Sequence, residues 1–322
     1  MSSETTGIKH PKKPAIRKLG TISCNNIVET TPIVYKGELY RFEVVRRKSF
    51  TSETAVNTYW RDIDEPPCLR FVHVRTNTAT PTFADNHCFG FPIAIGDTMY
   101  VVTCAGKDWA SDRLAFFKSD DLVNWEKYTE LHLPGYKIFN MNIAKMGDLY
   151  TLLIEIIAPK EEVGKAPGTF RFLTSTDMTN WTLTPSECAF QRDRYSGAPA
   201  MYTFEGDPYY YVIYLEEYPC QRYANSVARS KDLINWEYSP VNPVLMYDDA
   251  EDKKIGSPFL TPADRQRIDD ALNVNNSDME LCEYLGRTII YYSWGDQKGN
   301  EFLAEACAEC GAHEFLKAFF EA

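Results

Sequence analysis

The chain has 322 residues, a formal net charge of −11 and 14% aromatic residues, with 20 Tyr and 18 Phe. An acidic chain whose only basic runs are the short RKLG and VVRRK lacks the Lys/Arg stripe that phosphate contacts need, which excludes nucleic acid as a partner. No apolar run approaches the roughly 18 residues of a membrane span, and the polar start MSSETTGIKHPKKPAIRK has no signal-peptide core, so the expectation is a soluble cytoplasmic protein without a membrane partner.

Residues 1–20 read as a flexible arm, and 21–322 as one domain. An apolar run, a turn glycine and a tyrosine-rich strand recur five times: PIVYKGELYRF, PIAIGDTMYVV, NIAKMGDLYTLL, PAMYTFEGDPYYYVIY and ELCEYLGRTIIYY. Each reads as a β-hairpin around Gly37, Gly96, Gly147, Gly206 or Gly286. A second phrase runs in step: SDDLVNW at 119–125, STDMTNW at 175–181 and SKDLINW at 230–236, its tryptophans 56 and 55 residues apart. A fixed period of about 50 residues with three or four strands per unit describes an array, here an all-β five-bladed β-propeller. The phrase is read as structural. Its Ser and Asp cap a turn, and its Leu or Met and Trp pack back onto the blades.

In chain order, blade one starts near Ile27 and carries a long loop, 49–67, over one face. Blade two runs from about Asp85, blade three from Tyr136 with an insertion at APKEEVGKAPGT, and blade four from Glu187. Before blade five the glycine spacing widens to 80 residues, against 51 to 59 elsewhere. The excess holds TPADRQRIDDALN, a short helix with Thr261 as N-cap, Pro262 in the first turn and Ile268 and Leu272 on one face. The tail begins as a strand and ends as a helix. Nine cysteines without metal spacing fit reduced thiols, and Cys307, Cys310 and His313 are too few for a structural zinc site.

Inner strands of a propeller converge at one end, so their first residues form a ring. Counting back from the glycines places Glu29, Asp85 with His87, Asn140, Arg194 with Ser196, and Asn275, Asn276 and Asp278 there. This polar ring is a ligand site. Paired carboxylates facing one pocket suit glycoside hydrolysis, one protonated and one ionised. Glu29, Asp278, Asp85 and Glu217 are the catalytic candidates. His87, Asn140, Arg194, Ser196, Asn276 and Trp294 are the substrate-binding candidates, Trp294 as an aromatic floor. Glu155 and Glu216 end apolar strands and are further carboxylates within reach. No cofactor is required. A divalent cation on the central axis, held by His87 and Asp85, is compatible with the sequence. No nucleotide motif is present.

The Ser-x-Asp-Leu-x-x-Trp phrase and the glycine hairpins resemble the five-bladed propeller glycoside hydrolases, such as families 43, 32, 62 and 117. The block at 275–306 looks like the last blade of a divergent bacterial subgroup. The resemblance covers about residues 25–320 and implies a carbohydrate substrate. In family 43 it implies a base on blade one, a pKa-tuning Asp on blade three and an acid Glu on blade four. Here Glu29 stands at the first place, Asn140 or Asn142 at the second, and the third falls near Ser196. The acid would then come from Asp278, Asp85, Glu217 or His87. The alternatives are a carbohydrate-binding propeller without catalysis, or a phosphorylase or lyase with Arg192 and Arg194 beside the pocket.

Overall fold

The computed structural model describes residues 14–24, 29–45, 67–106, 110–166, 168–298 and 300–321. Twenty strands form five antiparallel blades. Strand β1 (Arg17–Ser23) precedes blade one, which comprises β2 (Thr31–Tyr35), β3 (Glu38–Val45), β4 (Cys68–His73) and β5 (Thr78–Ala79). Blade two is β6 (His87–Ile95), β7 (Thr98–Ala105), β8 (Arg113–Ser119) and β9 (Glu126–His132). Blade three is β10 (Lys137–Met146), β11 (Leu149–Ala158), β12 (Thr169–Ser175) and β13 (Thr182–Leu183). Blade four is β14 (Ser196–Tyr202), β15 (Tyr210–Tyr218), β16 (Arg222–Ser230) and β17 (Trp236–Tyr238). Blade five is β18 (Asn275–Tyr284), β19 (Arg287–Gly295) and β20 (Glu301–Ala308), with β1 as its outermost strand. The inner strands β2, β6, β10, β14 and β18 neighbour one another in a closed ring.

The ring closes with a strand from the other end of the chain. Arg17 pairs with Cys307 and Ser23 with Leu303. Residues 17–20 of the arm expected over 1–20 are therefore part of the fold. A strand donated across the closure removes a sheet edge that would otherwise stay unpaired. The loop expected over 49–67 lies, all but its last residue, outside the described residues.

The two helices expected from the sequence are present. Between blades four and five, α1 (Asp249–Asp252) precedes α2 (Pro262–Asp270), and α3 (Ala312–Lys317) ends the chain. Thr261 caps α2 in a reciprocal box with Asp264, satisfying two backbone N–H groups that the helix cannot pair itself. Ile268 is buried, but Leu272 lies beyond the last turn and is 61% exposed, so it does not share that face.

The repeated phrase is an interblade staple. Ser119 Oγ accepts from the Leu122 N–H at 2.9 Å, and Asp121 Oδ1 accepts from Val123 and Asn124 N–H at 2.8 and 2.7 Å. The same bonds recur around Asp177 and Asp232. They hold Leu122, Met178 and Leu233 at positive φ, a conformation that costs any residue with a Cβ energy unless its surroundings fix it. Each tryptophan then stacks on the preceding blade: Trp125 on Phe83 at 3.9 Å, Trp181 on Phe116 at 5.6 Å and Trp236 against Phe190 at 4.5 Å. Such pairs add about 0.5–1.5 kcal/mol each beyond the apolar area they bury.

Apolar clusters fill four of the five seams between blades. The seam between blades five and one is polar among the described residues. It brings Glu280 of blade five to Thr31 of blade one, Tyr291 near Arg41 and Glu43, and Glu305 near Arg41. Glu43 is fully buried and held by Arg41 at 2.5 Å and Arg70 at 2.6 Å.

Candidate active site on the propeller axis

Four inner strands carry the same irregularity. Two residues bulge opposite one on the neighbouring strand at Phe89 and Gly90, Phe139 and Asn140, Ala198 and Pro199, and Asp278 and Met279. Phe89, Ala198 and Asp278 adopt positive φ there, as does Glu29 two residues before β2. Bulges re-aim side chains and are common beside active sites. Here they fall near the starts of four of the five inner strands.

Glu155 is the hub of this end. It lies on β11, opposite the β10 bulge, and is 7% exposed. Its Oε2 accepts from Asn140 Nδ2 at 2.8 Å and from the Ala198 N–H of blade four at 3.0 Å. Burial pushes its carboxyl up to about 7; the two hydrogen bonds oppose that shift, and the Asp278 charge adds to it. Both donors engage Oε2, so the proton of the neutral acid sits on Oε1. Asp278, half-buried on blade five, also acts on Glu280 and Glu301. Burial first, and then Asp278, lifts each of these to about 8. Glu29 is half-buried ahead of β2, and its charge reaches Cys104 of blade two.

Glu29, Asn140 and Asp278 stand at or near the starts of inner strands β2, β10 and β18, Glu155 is joined to them through Asn140, and Asp278 acts on Glu280 and Glu301 of its own blade. Glu155 answers the missing carboxylate at Asn140: it stands one strand further out, and Asn140 donates to it. The other expected residues divide. Ser196 is buried at the start of β14. Arg194 is exposed and pairs with Glu216 at 2.9 Å. Glu217 is exposed on the rim, with its charge felt by Tyr195 and Tyr223. Asp85 is exposed in the loop before β6, and its main-chain oxygen, not its carboxylate, meets His87 Nδ1 at 2.9 Å. The His87 ring lies edge-on to Phe117, on the seam with blade one, and burial lowers its pKa, keeping it neutral.

Two expectations need correction. Trp294 is fully buried, stacks on Phe302 at 4.4 Å and donates to Thr21 Oγ1 at 2.8 Å. It belongs to the core and offers a ligand no surface. Asn276 is also fully buried. Its amide joins Asp252 and Lys18 in a network beneath β1. Among the described residues, no group of three or more His, Cys, Asp or Glu side chains is placed to hold a metal ion. His313, the third member of the cysteine cluster, instead bonds Asp207 at 2.6 Å and stacks on Phe204.

Buried neutral carboxyls make stability depend on pH. Glu155, Glu280, Glu301 and Glu305 have folded values of about 7, 8, 8 and 6, against an ordinary 4.5. The folded state holds more protons across that window, so stability is full below 4.5 and falls as pH rises through 6 to 8. The melting temperature measured by calorimetry should decline over this range. A flat profile would show that these carboxyls are not held neutral.

No protein-family model matches this sequence, and no curated protein is detectably similar to it. Solved structures do share the fold. An α-L-arabinofuranosidase from Podospora anserina, solved with cellotriose, superposes with a TM-score of 0.60 at 9% identity, covering 94% of this chain and 99% of its own. The catalytic domain of a family 62 α-L-arabinofuranosidase from Coprinopsis cinerea gives 0.58 at 10% identity, covering 92% and 98%. A family 43 α-L-arabinofuranosidase from Clostridium thermocellum gives 0.50 at 11% identity, covering 82% and 81%. The chain has the five-bladed propeller fold of these glycoside hydrolases.

Proposed function

We propose that this chain is a glycoside hydrolase that cleaves a short oligosaccharide or glycoside at the axial end built around Glu155. The observation that carries the reading is the convergence of Asn140 Nδ2 and the Ala198 N–H on one oxygen of a buried carboxyl, with Asp278 beside it. That arrangement holds a proton on Oε1 near neutral pH and aims it. Glu155 donates this proton to the leaving glycosidic oxygen. Asp278 assists water or attacks the anomeric carbon, and the two carboxyls divide acid and base roles through their different surroundings. Glu29 completes the ring. The propeller neighbours that act on arabinofuranosides supply the first substrates to try.

Phosphorolysis has less support. Arg192 donates to the Glu161 carbonyl at 2.9 Å and Arg194 is taken by Glu216, so both arginines have partners already.

The test is an activity screen of wild type, Asp278→Asn and Glu29→Gln on aryl α-L-arabinofuranosides, aryl xylosides and xylotriose, with and without phosphate. Release of sugar by wild type without phosphate, with a loss of about a hundredfold or more in Asp278→Asn, is expected for a working carboxylate. Phosphate-dependent release would replace the hydrolase reading with a phosphorylase. Loss in Glu29→Gln alone would move the base to blade one. No turnover, with xylotriose raising the melting temperature, would leave a binding propeller.

A further inference from the structure

Tyr195 immediately precedes β14 and is partly buried. Its hydroxyl lies 2.8 Å from the point where a Cβ on Gly197 would stand, and Glu155 Oε1 lies 3.4 Å from the same point. The phenol and the proton-bearing oxygen therefore converge over one Cα that has no side chain. The Tyr195 ring meets Tyr223 edge-to-face, with centroids 6.1 Å apart and planes at 76°. Tyr223 pairs with Asn275, joining blade four to blade five, and sits opposite exposed Glu217. The result is an aromatic corner on the Oε1 side of Glu155, where blade four meets blade five.

The chemistry of that corner is amphipathic. A pyranose presents an apolar C–H face and a polar edge, and a tyrosine offers a flat apolar ring with a hydroxyl at its tip. Burial, followed by the charges of Glu155 and Asp278, raises the Tyr195 pKa, so its hydroxyl stays a hydrogen-bond donor. An acid that protonates a leaving oxygen must lie beside the unit carrying that oxygen. We propose that Tyr195 and Tyr223 bind the sugar on the leaving-group side of the scissile bond, so the natural substrate carries a pyranose there. This rests on Glu155 being the proton donor.

The proposal is tested with xylotriose and cellotriose by calorimetry on Glu155→Gln, alone and combined with Tyr195→Ala, Tyr195→Phe or Tyr223→Ala. The same tyrosine variants of the otherwise wild-type enzyme are assayed on an aryl xyloside and on xylotriose. Trisaccharide affinity is expected to fall about tenfold or more in Tyr195→Ala, the scale of one lost pocket contact, and less in Tyr195→Phe, which keeps the ring. The ratio of kcat/KM on xylotriose to that on the aryl glycoside should fall with it. Equal losses on both substrates, or unchanged trisaccharide affinity in both alanine variants, would overturn the corner. Were wild type to turn over nothing, the hydrolase reading and with it the leaving-group assignment would fail, and loss of trisaccharide binding in Tyr195→Ala would leave the corner as a sugar-binding surface only. Absence of any trisaccharide binding would overturn both.

Discussion

Glu155→Gln is expected to lower kcat on the best glycoside by about 10² to 10⁴-fold, the range a positioned general acid supplies. The fold should survive. A glutamine oxygen can still accept from Asn140 Nδ2 and the Ala198 N–H, and the amide nitrogen takes the place of protonated Oε1. The pH profile gives the sharper check. A donor with a value of about 7 is active below it, so kcat/KM should decline above neutrality as Glu155 ionises. Two neighbours move that limb in opposite directions. Asp278→Asn removes a charge that raises Glu155, so the limb should move to lower pH even as the rate falls. Asn140→Ala removes a bond that favours the ionised form, so the limb should move to higher pH. A limb unmoved by either substitution, or a loss in Glu155→Gln of less than about tenfold, would take Glu155 out of the reaction.

The blades were legible because their signals are local. A glycine at a two-residue turn, an alternating strand and a Ser-x-Asp cap act over fewer than ten residues and repeat. Strand β1 had no such signal. RKLGTIS is short and weakly patterned, and it pairs with β20 residues 280 to 290 positions further along the chain. The ring residues Glu29, Asn140 and Asp278 could be counted from the turns because the hairpins keep register. The β18 bulge set Asn276 and Trp294 apart from Asp278. Residues two apart on a regular strand share a face, but Asn276 and its cross-strand partner Trp294 lie before the bulge and turn to Asp252 and the core, whereas Asp278 lies in it. Glu155 was visible as an acid ending an apolar strand, but its use depends on an N–H of Ala198, 43 residues on. Nothing in the local sequence announces that contact.

The closure that escaped the sequence should be the most fragile point of the fold. Asp252 is fully buried beneath β1. Its Oδ1 accepts from Lys18 at 2.7 Å and Tyr292 at 2.9 Å, and its Oδ2 from Asn273, Asn276 and the Asp248 N–H at 2.8–3.0 Å. Its carbonyl accepts from Thr21 of the same strand. Lys18 spends its remaining donors on Met246 O and Asn276 Oδ1, and burial pulls its pKa down. Asp252→Ala would strand a buried ammonium and three side-chain donors at once, for an expected loss of about 3–5 kcal/mol. Lys18→Met should cost less, because Asp252 keeps four neutral donors and the methionine fills the stem's volume. Denaturant unfolding should rank the two in that order, and amide exchange should rise first along β1 and β20. If Asp252→Ala unfolds with β1 as protected as in wild type, the strand is held by its ladder alone and the buried carboxylate is not the latch.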